Sequence, residues 1–193
     1  MEPLNHFNPM QCKKIFLLFA LVVLSTSCSP LLNEKNENIK SSILSLDELS
    51  KFLQNDINSL PNFNCYSSQD SVIEGDEGLK WNSKVYKYKN EIAFLIEANW
   101  EKPNIVDRIT VFSNTVRDGN LFVGQTFSLI KSSVSNILPY SPDGYLFVTY
   151  KKNPKISIEL NISNIKDSTF FFGVKSIDNI PDSIKVESLI LMK

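Results

Sequence analysis

Apolar residues recur along this chain with different spacings, and each change of spacing marks a change of element. From Ile15 to Leu24 they run unbroken for ten residues, short of the roughly 20 that a bilayer-spanning helix needs. From Ser29 to Lys40 the chain is polar and rich in Asn and Glu, and it buries too little apolar surface to offset the entropy of ordering it. Residues 28–41 therefore read as a flexible tether. A helix is expected next, because Ser45 with Glu48 three residues on has the capping-box spacing that satisfies the first free amides. Leu49, Phe52, Leu53, Ile57 and Leu60 then share one face, and Pro61-Asn62 ends the run.

Beyond Pro61 the period shortens to two, with β-branched and aromatic enrichment. Strands are expected over Lys84 to Tyr88, Glu91 to Asn99, Val106 to Ser113, Leu121 to Val123, Tyr145 to Tyr150, Lys155 to Ile162, Thr169 to Val174 and Lys185 to Met192. Ile156, Ile158, Leu160 and Ile162 alternate with Lys155, Ser157, Glu159 and Asn161, the pattern of a strand with one wet face. Lys151-Lys152-Asn153-Pro154 reads as the hairpin turn before it. A second short helix is expected from Thr126, with Phe127, Ile130 and Val134 on one face, ending before Pro139. The predicted fold class is α+β: a mostly antiparallel β-sheet with one N-terminal helix and one short second helix packed on it, forming a single domain over 42–193. Asp-Gly-x-Leu-Phe-Val occurs at Asp118 and again at Asp143, and it reads as turn chemistry used twice, since repeat architectures need three or more copies.

The N-terminal run acquires a meaning from its flanks. Lys13-Lys14 precede it and Ser25-Thr26-Ser27-Cys28 follow, the basic, apolar and small-residue order of an export signal. With a cysteine directly after the small residues, residues 1–27 resemble the leader of a bacterial lipoprotein precursor. In that family the thiol is lipidated and the chain is cut just before it. The departure is Ser25, where such leaders usually carry Leu, with Leu24 one place earlier. The resemblance implies lipid attachment at Cys28, membrane association through that lipid and a place in the bacterial cell envelope, at the outer membrane on its periplasmic or surface face. Met10 opens a compact basic segment and is a candidate true start. Val123-Gly124-Gln125-Thr126 is also similar to the Gly-x-Thr turn of small outer-membrane-assembly lipoproteins, four residues that carry no function across.

Charge and composition narrow the chemistry. Removal of the leader would take Lys13, Lys14 and Glu2, leaving 18 of the 20 basic and 20 of the 21 acidic side chains, so no charge argument for a nucleic-acid partner exists. The single histidine, His6, lies in the leader, which argues against Ser-His-Asp and Cys-His catalysis and most zinc sites. Of three cysteines, Cys12 lies in the leader, Cys28 would carry lipid, and Cys65 has no partner left; with nothing to activate it, Cys65 is expected to be buried.

No motif marks catalysis. Ser128 and Lys131 have the Ser-x-x-Lys spacing of serine β-lactamases, as do Ser163 and Lys166, but no Lys-Thr-Gly element accompanies either. Asp70, Glu74, Asp76 and Glu77 gather near Gly75 and Gly78 with Val72 where an EF-hand needs oxygen, so an acidic surface loop is expected. Trp81, Tyr86, Tyr88, Trp100, Tyr140, Tyr145 and Tyr150 offer rigid amphipathic surface for sugar rings or a protein partner, with Tyr86 and Tyr88 expected in the core. Phe170-Phe171-Phe172 places rings on both faces of its expected strand. The sequence thus points to a non-catalytic binding or structural module of the envelope with an envelope protein or glycan as partner, and to no cofactor or metal. The alternatives are a histidine-free envelope glycan hydrolase using paired carboxylates, or an inhibitor of a secreted enzyme.

Overall fold

The structure, a computed structural model, describes residues 43–75, 78–138, 145–163, 165, 174 and 176–193. The leader, Cys28, the tether, most of the expected strand over Thr169 to Val174, and the second Asp-Gly at Asp143 lie outside the described residues.

The described domain is largely β. Two antiparallel meanders form one eight-stranded sheet: β2 (Ser67–Glu74), β3 (Lys80–Tyr88), β4 (Glu91–Ala98) and β5 (Val106–Val111) on one side, β7 (Val134–Ile137), β8 (Leu146–Tyr150), β9 (Ile156–Leu160) and β10 (Val186–Met192) on the other. The meanders join where β10 pairs with β5, giving the order β2-β3-β4-β5-β10-β9-β8-β7. Two short strands, β1 (Leu44–Ser45) and β6 (Val116–Arg117), pair in parallel beside it.

Register places the core. Tyr86, Phe94, Val111, Leu189, Ile158 and Val148 lie opposite one another across six strands, and all six are buried. The Tyr86 and Phe94 rings stack 4.5 Å apart, and Phe63 packs edge-on against both. Tyr86 donates its hydroxyl hydrogen to the Pro61 carbonyl at 3.2 Å, tying the segment before β2 to the sheet. Burial, with a smaller push from Asp70, raises this phenol from 10.0 to about 12.

The capping box at Ser45 and Glu48 forms, with Glu48 N–H donating to Ser45 Oγ and Ser45 N–H to Glu48 Oε2. The Ser45 amide and, second, the Ser45 hydroxyl both donate to Glu48 Oε2 at 2.9 Å and hold the Glu48 carboxyl below its usual range. The helix that follows, α1 (Leu46–Ser50), is one turn long, whereas the apolar stripe predicted one running to Leu60. Gln54 takes φ 74°, its amide donates to the Val106 carbonyl, and Asp56 bridges to Ile105, so docking onto β5 replaces helical hydrogen bonds. The stripe is apolar because Leu49, Ile57 and Leu60 are buried, with Ile57 on a 3₁₀ turn (Ile57–Ser59). The second helix, α2 (Phe127–Ile130), is also one turn, with Phe127 and Ile130 buried; Val134, assigned to its face from spacing, instead opens β7.

β2 was not foreseen. Seven of its eight positions are exposed and it pairs only with β3, so an edge strand with no buried face leaves no period-2 signal. Leu121 to Val123, expected as a strand, contributes only the Asp118–Leu121 bridge, which closes a turn around Gly119 at φ 58°.

Candidate functional site

The outer face of the sheet is built differently from the core face, and its densest chemistry lies where β3, β4, β5 and β10 meet at one end. Glu97 lies opposite Arg108, but the next pair is Ala98 with Val106, so Asp107 is an extra residue on β5. A bulge of this kind increases local twist and re-aims side chains. Arg108 forks onto Glu97, with Nε donating to Oε2 at 2.6 Å and Nη2 to Oε1 at 2.5 Å. Two parallel charge-assisted bonds fix both orientation and distance. The Glu97 side chain is 4% exposed and that of Arg108 46%, so the carboxylate is the buried floor and the guanidinium reaches solvent. The hydrogen bonds to Glu97 hold the Arg108 guanidinium above its ordinary range, against the opposing effect of burial.

Trp81 is held at both ends. Its Nε1 donates to Glu97 Oε1 at 3.4 Å, and its six-membered ring lies so close to Gly75 that a Cβ there would sit 2.7 Å from it. Glycine at 75 is thus required by the approach of the indole. Trp100 follows β4 in a turn fixed by Asn99, whose Oδ1 accepts from the Glu101 and Lys102 amides at 2.8 and 3.3 Å.

Between these groups lies a pocket of about 270 Å³, walled by Trp81, Trp100 and Met192 and edged by Asn99, Asp107 and Arg108 above Glu97. Trp100 is 54% exposed and Met192 43%. Both tryptophans of the chain line it. Three polar groups at its edge make no hydrogen bond within the described residues: Arg108 Nη1, Asn99 Nδ2 and the Asp107 carboxylate. A second depression of about 280 Å³ lies by β2 and β3, lined by Ile57, Asn58, Asp70, Val72, Asn82 and Ser83. The buried Ser83 hydroxyl has no partner among the described residues.

The residues singled out from the sequence scatter. Cys28 lies outside the described residues. Cys65, expected to be buried, is exposed and free; it occupies a turn at φ 71° between Phe63 and Tyr66, whose rings and not the thiol pack against the core. Lys131 does not serve Ser128: its Nζ faces Asp178 at 3.5 Å and Asp182 at 3.6 Å, while Ser128 Oγ is bonded to Thr126 Oγ1. Asp70 and Glu74 pair with Lys84 and Lys80 across the β2–β3 hairpin, and Asp76 and Glu77 lie outside the described residues. Among the described residues, no three His, Cys, Asp or Glu side chains gather as a metal site.

Of the aromatic set, Tyr86 and Tyr150 are buried and Tyr88 packs against the core, Tyr145 is exposed, and Tyr140 lies outside the described residues. Tyr150 donates to Asp118, which also holds Lys152 at 2.7 Å; burial first and that bond second raise the Tyr150 phenol. Among the described members of the set, only Trp81 and Trp100 meet at the pocket. Glu97, Asp107, Arg108, Asn99 and Met192 escaped sequence reading, although a carboxylate inside the apolar run Ile92 to Ala98 is itself a signal of a buried partner.

No family model matches this sequence, and no curated protein matches it. Among solved structures, the fold is similar to the crystal structure of the uncharacterized protein yfeY from Escherichia coli, at a TM-score of 0.50 and 15% identity. The match covers 66% of this chain and 82% of that one. At this identity the likeness is one of fold alone.

Proposed function

We propose that this chain is a lipid-tethered binding module of the bacterial cell envelope, anchored through Cys28, with residues 28–41 as reach and the domain at 42–193 engaging a partner. The order Lys13-Lys14, apolar Ile15 to Leu24, then Ser25-Thr26-Ser27-Cys28 supports the address. The observation that carries binding is the pocket, in which two tryptophans and a methionine surround polar groups that make no hydrogen bond among the described residues. In layering the fold is read as α+β, supported by Leu46 and Leu49 of α1 and Phe127 and Ile130 of α2, all buried against the sheet.

The rival reading, a histidine-free glycan hydrolase, has one observation in its favour: Glu97 and Asp107 line the same pocket. Both Glu97 oxygens already accept from Arg108, however, and one also from Trp81, so this carboxylate is committed to holding the pocket together.

Two experiments test the proposal. Cys28→Ser is expected to abolish lipid labelling in cells and leave the precursor uncut, and continued labelling with normal cleavage would refute the anchor. A photo-crosslinking residue at the exposed Met192 position is expected to trap a specific envelope glycan or protein partner, and a pocket that traps neither refutes the binding role.

A further inference from the structure

We infer that the pocket between Trp81 and Trp100 binds one neutral pyranose ring of an envelope glycan, an inference that rests on the binding-module reading and names its ligand. Size is the first constraint. At about 270 Å³ the pocket lies just below the roughly 300–1,000 Å³ that enclose whole drug-sized ligands, so it suits one ring of a longer chain.

Wall chemistry is the second. The C–H face of a pyranose is apolar and slightly positive, and it complements the negative π face of an indole. Trp81 is immobilised between Gly75 and Glu97, so a ring packing there orders one wall of the pocket at little entropic cost.

The polar edge decides between ligand classes. Arg108 Nη1 and Asn99 Nδ2 are donors and the Asp107 carboxylate, whose charge acts on Arg108, is an acceptor; none of them makes a hydrogen bond among the described residues. A cation would meet the guanidinium of Arg108, and an anion would meet Asp107 above the buried Glu97. A purely alkyl group would cover all three polar groups and satisfy none, at about 1–3 kcal/mol for each group left unpaired. Sugar hydroxyls both donate and accept, and a neutral ring brings no charge into conflict with either sign. Arg108 stays aimed because its other nitrogens are locked on Glu97.

The test uses the full chain in a polyoxyethylene detergent, which carries no sugar ring. Because both tryptophans line the pocket, intrinsic emission reports on it directly. Cellobiose and N,N′-diacetylchitobiose serve as probes, and at least one is expected to change the emission saturably with half-saturation between about 0.1 and 10 mM. By calorimetry, Trp100→Ala is expected to weaken that disaccharide about tenfold or more, whereas Trp100→Phe stays within about threefold. No response to either disaccharide, a Trp100→Ala protein that titrates like the parent, or a response to tetramethylammonium in place of the sugars would overturn the inference. If the sugars fail while the crosslink at Met192 captures a specific envelope protein, the glycan inference falls and the binding-module reading stands. If both fail, both fall.

Discussion

Two rows of residues cross the sheet one position apart, and they differ in packing and in polarity. One runs Tyr86, Phe94, Val111, Leu189, Ile158, Val148 and is buried throughout. The other runs Val85, Leu95, Thr110, Ile190, Ser157, Thr149, half-buried over its first four positions and ending in two buried small hydroxyls. A strand alternates its side chains, so a slip of one residue would exchange the two rows. The core row fixes the register, and the outer face is free to hold chemistry that packing would not tolerate. At its bulged end it holds a carboxylate forked to an arginine, with two tryptophans beside it.

The contrast breaks most severely at Phe94. Truncation by Phe94→Ala removes the ring that stacks on Tyr86 and leaves a cavity in the middle of the core row, with an expected loss of about 3–5 kcal/mol in denaturant unfolding. Alkaline pH attacks the same place chemically. Burial keeps the Tyr86 phenol neutral up to about 12 against an ordinary 10, a raised folded-state pKa. Stability from this group is therefore intact below pH 10 and is lost as pH climbs from 10 through about 12, by up to about 3 kcal/mol. Unfolding measured across that window is expected to fall steeply in the parent and less steeply in Tyr86→Phe. On the outer face, Arg108→Ala leaves the Glu97 carboxylate buried without its fork and is expected to cost about 1–3 kcal/mol, less than a core truncation because water reaches a guanidinium that is itself half exposed. Glu97→Gln with Arg108 intact should cost less than that.

What could be read from the sequence tracks how local each cause is. The Ser45–Glu48 capping box and the Lys151 to Pro154 turn were legible because both close within a few residues. The stripe from Leu49 to Leu60 correctly gave buried positions but the wrong element, since the backbone there hydrogen-bonds to β5, about fifty residues later in sequence. β2 stayed hidden for the opposite reason: an exposed edge strand is held by its neighbour's backbone, which its own side chains do not report. Cys65 was misread because scarcity of partners says nothing about where the backbone places a residue, and Cys65 lies in an exposed turn. Trp81 and Trp100 stood out as binding residues, but the groups that make a site of them did not. Glu97 and Arg108 meet only through β4–β5 register, and Asp107 joins them only because of a bulge.

The most direct test of this division between the faces is Trp100→Ala, assayed for unfolding free energy and disaccharide binding in the same preparation. Trp100 is half exposed and lies in a turn outside the core row, so the predicted result is stability within about 0.5 kcal/mol of the parent together with loss of the saccharide response. A Trp100→Ala protein that loses several kcal/mol, or one that keeps its stability and binds the disaccharide unchanged, would contradict the account.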